Sequence, residues 1–185
     1  RQRQMCIRDR DMTQETVTQA VNYNADMIIT HHPAIFKKLG RITDADWQQD
    51  LLLQLAEKGI AVFSAHTNLD CVSSGVNDVL VRRLRIHDED VLDHVSGLGR
   101  IGEVNACDLH SFAEFVKKSL RADYVVVGDA GRPVKRVAVC GGAGSDLIQL
   151  ALEQGADTLV TGDVKYHSAQ QAVFGGLNII DAGHQ

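Results

Sequence analysis

Short apolar runs alternate along the chain with longer stretches in which apolar residues recur every three or four positions. Residues 27–30, 60–65, 134–140, 158–161 and 177–181 are the runs that read as buried strands. "IAVFSA" (60–65) is apolar but for Ser64, as expected of a strand covered on both faces. Further strands are expected at 100–104 and 124–127. Thr13 is placed to cap a helix running to about Asn24, with Val17, Ala20 and Val21 inward. Thr43 is expected to cap a second, in which Trp47, Leu51 and Leu55 recur every four residues until Gly59 stops it. Residues 75–86 read as a helix with Val79, Leu80 and Leu84 inward, and 108–120, 146–154 and 164–174 as three more. Strand–helix alternation of this kind predicts an α/β fold with mainly parallel sheets flanked by helices.

The pattern repeats. "NADMIITHH" (24–32) echoes "GADTLVTGD" (155–163), and "KGIAVFSAH" (58–66) echoes "GGLNIIDAGH" (175–184). Two pseudo-repeated lobes are therefore expected, residues 11–98 and 99–185, joined through the polar, turn-rich stretch 87–99. The echo aligns the tip carrying His32 with that carrying Asp163, and the tip of His66 with that of His184. The opening "RQRQMCIRDR" has four arginines and no apolar period, so it reads as an unstructured or artefactual lead. The other end stops just after a strand, as a C-terminally truncated second region would.

Composition narrows the function. With 185 residues, 44% hydrophobic and 23% charged, the chain is long enough for a substantial core. A net charge of −5 without a basic stripe argues against a general nucleic-acid surface. No apolar run approaches the roughly 20 residues of a membrane span. Four scattered cysteines without a Cys-x-x-Cys pair suit reduced thiols and a cytoplasmic location.

Eight histidines are present, and their placement matters more than their number. His31 and His32 follow a strand directly, and Pro33 offers a reason for the chain to bend there. Two solvated loop histidines would show the same local pattern. "HTNLD" (66–70) brings His66 and Asp70 to the next strand end, and "DAGH" brings His184 to another. Open α/β sheets place their sites at such C-terminal strand ends. Imidazoles with a carboxylate suit Zn, Fe, Mn or Ni, and five potential ligands suit two ions better than one. "GGAGSD" (141–146) resembles a phosphate cradle, with Gly142, Gly144 and Ser145 as anion-binding candidates. A tight strand–helix turn would use the same glycines. Asp163 and His167 are four residues apart, so one helix face would carry both as an acid/base pair. A capping aspartate beside a surface histidine is the plainer alternative.

Taken together, "ADMIITHHPAIFKKLGRIT", "AHTNLD", "CGGAGSD", "TGDVKYHSAQQA" and "DAGH" resemble, in order and over about residues 11–185, the Nif-three-like family. That family is also called GTP cyclohydrolase 1 type 2, and its members are hexameric proteins with a dinuclear metal centre. The resemblance implies two divalent transition metal ions, with ligand roles for His31, His32, Asp70 and His184 and a site-lining place for His66. It also implies a ring-shaped homo-hexamer and a nucleotide substrate, GTP, whose imidazole ring a metal-activated water would open. Two departures stand out. The family's last ligand, a glutamate four residues after the final histidine, lies past Gln185, and "RQRQMCIRDR" does not resemble the family's N-terminal segment. Other functions open to the same residues are a metal-binding oligomeric scaffold or regulator without robust catalysis, and a metal-dependent nucleotide phosphoesterase.

Overall fold

The computed structural model describes residues 5–184. The chain divides into two compact units, the first reaching to Leu69 and the second starting at Asp70. The lobes expected from the sequence, 11–98 and 99–185, part later in the chain, beyond His87–Val91, a strand of the second unit whose first four residues carry no apolar side chain to announce it.

In the first unit β1 (Cys6–Asp9), β2 (Met27–Thr30) and β3 (Ala61–Ser64) form a parallel sheet in the order β1-β2-β3. Helices α1 (Gln14–Asn22) and α2 (Trp47–Lys58) pack against each other, and α1 lies on β1 and β2. Val17, Ala20, Ile28, Leu51 and Leu55 make the core. The Thr13 hydroxyl caps α1 by accepting the Thr16 N–H at 3.2 Å. Asp46, rather than Thr43, caps α2, with its carboxylate accepting the N–H groups of Gln48 and Gln49. A carboxylate there also meets the positive end of the helix dipole. Gly59 ends α2 with φ 65°, as expected.

Two expectations for this unit are corrected. The lead segment, expected to be unstructured, contributes β1. Only Ile7 of that strand is partly buried, so no alternation marked it, and its ladder with β2 is what orders it. Strand β3 is an edge strand paired to β2 alone, and its Phe63 is 51% exposed, so it is not covered on both faces.

A short helix, α3 (Thr67–Cys71), crosses the division. The second unit continues with α4 (Val76–Leu84), β4 (His87–Val91), β5 (Arg100–Cys107), α5 (Leu109–Leu120), β6 (Val126–Gly128) and β7 (Val134–Val139). A 3-10 turn at Ser145–Leu147 leads into α6 (Ile148–Glu153), followed by β8 (Thr158–Thr161), α7 (Tyr166–Phe174) and β9 (Asn178–Asp181). The sheet order is β4-β5-β7-β8-β9-β6. Only β7-β8-β9 run parallel; the other three pairings are antiparallel, so this sheet is mixed rather than mainly parallel. The link between β4 and β5 is too short for a crossover, which needs about a dozen residues, and forces a hairpin. Both faces are covered. Val137, Val139, Val160 and Ile180 join one core with Phe112 and Val116 of α5, while Ala138, Leu159 and Ile179 join another with Ile148 and Ala151 of α6.

The internal echo extends to the backbone. Register pairs Ile29 with Arg8 and Phe63 in the first unit, and Val160 with Val139 and Ile180 in the second. Equivalent hydrogen bonds recur: Ala65 N–H to Thr30 O and Ala182 N–H to Thr161 O are both 2.8 Å, and Ile60 to Leu55 and Leu177 to Ala172 are both 2.9 Å. Thus β1-β2-β3 repeats β7-β8-β9, and the parallel strands of each unit end at one common edge.

Arg100, at 6% exposure, ties the second unit together. Its Nε donates to Asp78 Oδ1 at 2.7 Å and its Nη1 to the carbonyls of Gly97 and Gly99, while Asp78 Oδ2 accepts the Ser74 N–H. Arg100 is buried while the Asp78 side chain is 24% exposed, so Arg100→Ala is expected to cost about 1.5–3 kcal/mol in urea unfolding, the worth of hydrogen bonds to a charged group. Adding Asp78→Ala should cost less than the sum of the two single changes.

Candidate metal centre

The two adjacent histidines leave β2 through a tight bend. The Arg10 carbonyl accepts the N–H groups of both His31 (3.2 Å) and His32 (3.0 Å), and the Thr30 hydroxyl donates to His32 O at 2.7 Å. Those bonds hold the bend. The His31 and His32 ring centroids stand 5.1 Å apart, and His66, just past β3, lies 5.4 Å from His31 and 6.1 Å from His32. Phe36, 78% exposed, meets His66 edge-on at 6.4 Å.

Hydrogen-bond acceptors fix the donor nitrogen of each ring. His31 Nδ1 is 2.8 Å from the Ala65 carbonyl and His32 Nδ1 is 2.6 Å from the Asp11 carboxylate. Both oxygens only accept, so each Nδ1 is the donor, and a neutral ring in that tautomer has its lone pair on Nε2. That is the state of an imidazole that ligates metal through Nε2. In donor chemistry these residues fit a divalent transition metal ion. Among the described residues, no group of three or more His, Cys, Asp and Glu side chains forms a ready-made cage for one ion.

Asp70 and His184 belong to the second unit. Asp70, 7% exposed, sits in α3, and its carbonyl accepts from Asn77 Nδ2 at 3.0 Å. The same buried amide accepts the Gly141 N–H through Oδ1 at 2.9 Å, tying the Asp70 backbone to the end of β7. His184 Nδ1 donates to Asp163 Oδ2 at 2.6 Å, which fixes its tautomer as Asp11 fixes that of His32. The His184 ring lies over Gly142, where a built Cβ would stand 3.3 Å from Nε2.

The sequence model of the Duf34/NIF3 (NGG1p interacting factor 3) family matches residues 9–185. The chain belongs to that family. It is 38% identical over 178 residues to a GTP cyclohydrolase 1 type 2 homolog of Lactococcus lactis subsp. lactis (strain IL1403), covering 94% of this chain and 69% of the relative. It is 31% identical over 195 residues to the NGG1-interacting factor 3 of Saccharomyces cerevisiae, covering 94% and 67%. Among solved structures, a Bacillus cereus protein related to NIF3 superposes with a TM-score of 0.88 at 25% identity, covering all of this chain and 79% of that one. The NIF3 relationship and the two helix-flanked α/β sheets agree with the fold class read from the sequence.

Within this NIF3 fold the remaining candidates separate. Gly144 N–H donates to Thr161 Oγ1 at 2.8 Å, and a Cβ at Gly144 would come within 2.6 Å of that oxygen and 2.7 Å of Cys140 Cβ. Close packing thus accounts for the glycine, and the Gly141 and Gly144 amides are engaged inside the protein. Ser145 caps no helix through its side chain. Asp163 and His167 do not share a helix face, because α7 begins at Tyr166 and Asp163 lies before it with φ 53°. Asp163 pairs with His184, and His167 packs edge-on against Tyr166. Sequence reading missed Asp11 and Asn77. Their bonds span 21 residues from Asp11 to His32 and 64 from Asn77 to Gly141, and leave no local pattern. A shallow groove of about 560 Å³ lined by Cys107, Leu109, Asp129 and Arg132 lies near the start of β7, the end of that strand opposite His184.

Two thiols accompany Asp70. Burial, then the Asp70 carboxylate, raises Cys71, and the same causes push Cys140 up to about 11. An acid whose pKa is higher folded than unfolded contributes stability below its unfolded value and loses it as pH rises towards the folded one. Stability is therefore expected to fall between pH 9.0 and about 11. Cys140→Ala should flatten that fall, as read by urea midpoints across the range.

Proposed function

We propose that this protein binds divalent transition metal, two ions in the complete site, and acts as a metal-dependent hydrolase on a nucleotide. The observation that carries the reading is the pair His31 and His32. Both rings come from one bend, and both hold Nδ1–H on an acceptor so that Nε2 keeps the lone pair. Asp70 and His184 are the ligands we assign in the second unit, and His66 lines the first. A bound Zn, Fe, Mn or Ni ion would supply a water acidified enough to attack near neutral pH. The chain's own part is to hold the imidazoles in one tautomer. GTP is the proposed substrate because relatives carry the name GTP cyclohydrolase 1 type 2 homolog; one water would open its imidazole ring to a formamide, and a second would hydrolyse that formamide to release formate.

A second reading, a metal-binding oligomeric scaffold, draws on the exposed Ile35, Phe36, Leu39 and Ile42 after the histidine pair, and on the name of the yeast relative. In that form the chain would assemble as a homo-hexamer, which light scattering on the eluted protein measures. Metal content by mass spectrometry and formate release from GTP separate the readings. Stoichiometric metal, and formate that falls at least 100-fold in His31→Ala, supports the hydrolase. Metal without turnover of GTP supports the scaffold, and phosphate release without formate points to a phosphoesterase. A protein that retains no metal after purification and does not take it up on titration would sink the metal assignment.

A further inference from the structure

We propose that Asp11 and Asp163 are positioning residues for His32 and His184, each locking one imidazole for metal binding through Nε2. The inference rests on the metal-binding reading above and adds two residues to it. Each carboxylate lies 2.6 Å from an Nδ1, close to the length expected of a charge-assisted bond. The imidazoles are the more sheltered members: the His32 and His184 side chains are 22% and 30% exposed, against 51% and 59% for Asp11 and Asp163.

The internal repeat gives a second, independent reason. From the paired residues Arg8, Ile29 and Phe63, three steps forward reach Asp11, His32 and His66. From their counterparts Val139, Val160 and Ile180, three steps reach Gly142, Asp163 and Gly183, with His184 one further. The carboxylate–imidazole contact thus occurs in both units, but on different tips. In the first, the β1 tip holds the ring of the β2 tip; in the second, the β8 tip holds the ring of the β9 tip. A contact merely inherited with the repeated scaffold would sit at equivalent positions. Its recurrence at non-equivalent ones is what a shared need to orient an imidazole produces. Gly142, standing where the first unit has Asp11, leaves room for the His184 ring.

The test uses the full chain with two variants for each position, Asp→Asn, which keeps the accepting oxygen, and Asp→Ala, which removes it, and wild type as reference. In metal-free protein at about pH 8, where free imidazole is neutral, nitrogen-15 histidine NMR reads the tautomers directly. His32 and His184 are expected with the proton on Nδ1 in wild type and in Asp11→Asn and Asp163→Asn. In Asp11→Ala and Asp163→Ala the corresponding ring should shift towards the Nε2–H form, with the thermal midpoint of the metal-free protein unchanged. Titration with Co²⁺ should then show affinity about 10–100-fold weaker in each alanine variant, and a smaller loss in the asparagine ones. If wild type takes up no Co²⁺, the metal reading and this inference both fail. If wild type binds Co²⁺ but the alanine variants bind equally well with tautomers unchanged, the positioning role alone is overturned.

Discussion

One backbone carbonyl, that of Arg10, receives the N–H groups of both His31 and His32. On a regular strand neighbouring side chains point to opposite faces, so adjacent imidazoles would be separated by the sheet itself. Sharing an acceptor collapses that alternation, and the Thr30 hydroxyl on His32 O closes the bend. The ring cluster of the first unit depends on this geometry. Arg10 can be there only because β1 delivers it, in register with β2, to the edge where the strands end.

The same logic separates the chemically equipped part of the second sheet from the rest. Parallel pairing brings strand C-termini to one edge, and only β7-β8-β9 are paired that way. The antiparallel strands β4, β5 and β6 extend the sheet, with β5 adding Ile101 and Val104 to its cores, and none carries a candidate ligand. In the second unit, buried polar groups fix the main chain. Asn77 spans from Asp70 O to the Gly141 amide, and Arg100 joins Asp78 to the turn before β5.

What could be read from the sequence follows from what leaves a local trace. Apolar runs such as Met27–Thr30 and Thr158–Thr161 fell at their observed bounds because buried strands must be apolar. Strands β1 and β4 left no trace, since their residues are largely exposed and polar and are ordered by a neighbour's ladder. Strand-end histidines were visible as residues in unusual places. The groups that orient them were not: Asp11 acts across 21 residues, and the Arg10 contribution is a main-chain oxygen that any residue would carry. Asp163 was recognised but given His167 as a companion, because helical spacing was assumed before the helix had begun.

The bonds that repeat between the two units are main-chain bonds, whereas the groups that differ are side chains at strand tips. Shape and chemistry are therefore written in separate alphabets. A tip can exchange aspartate, histidine and glycine while every ladder bond beneath it stays intact, so such a chain can acquire new ligand sets by single substitutions without first risking its fold.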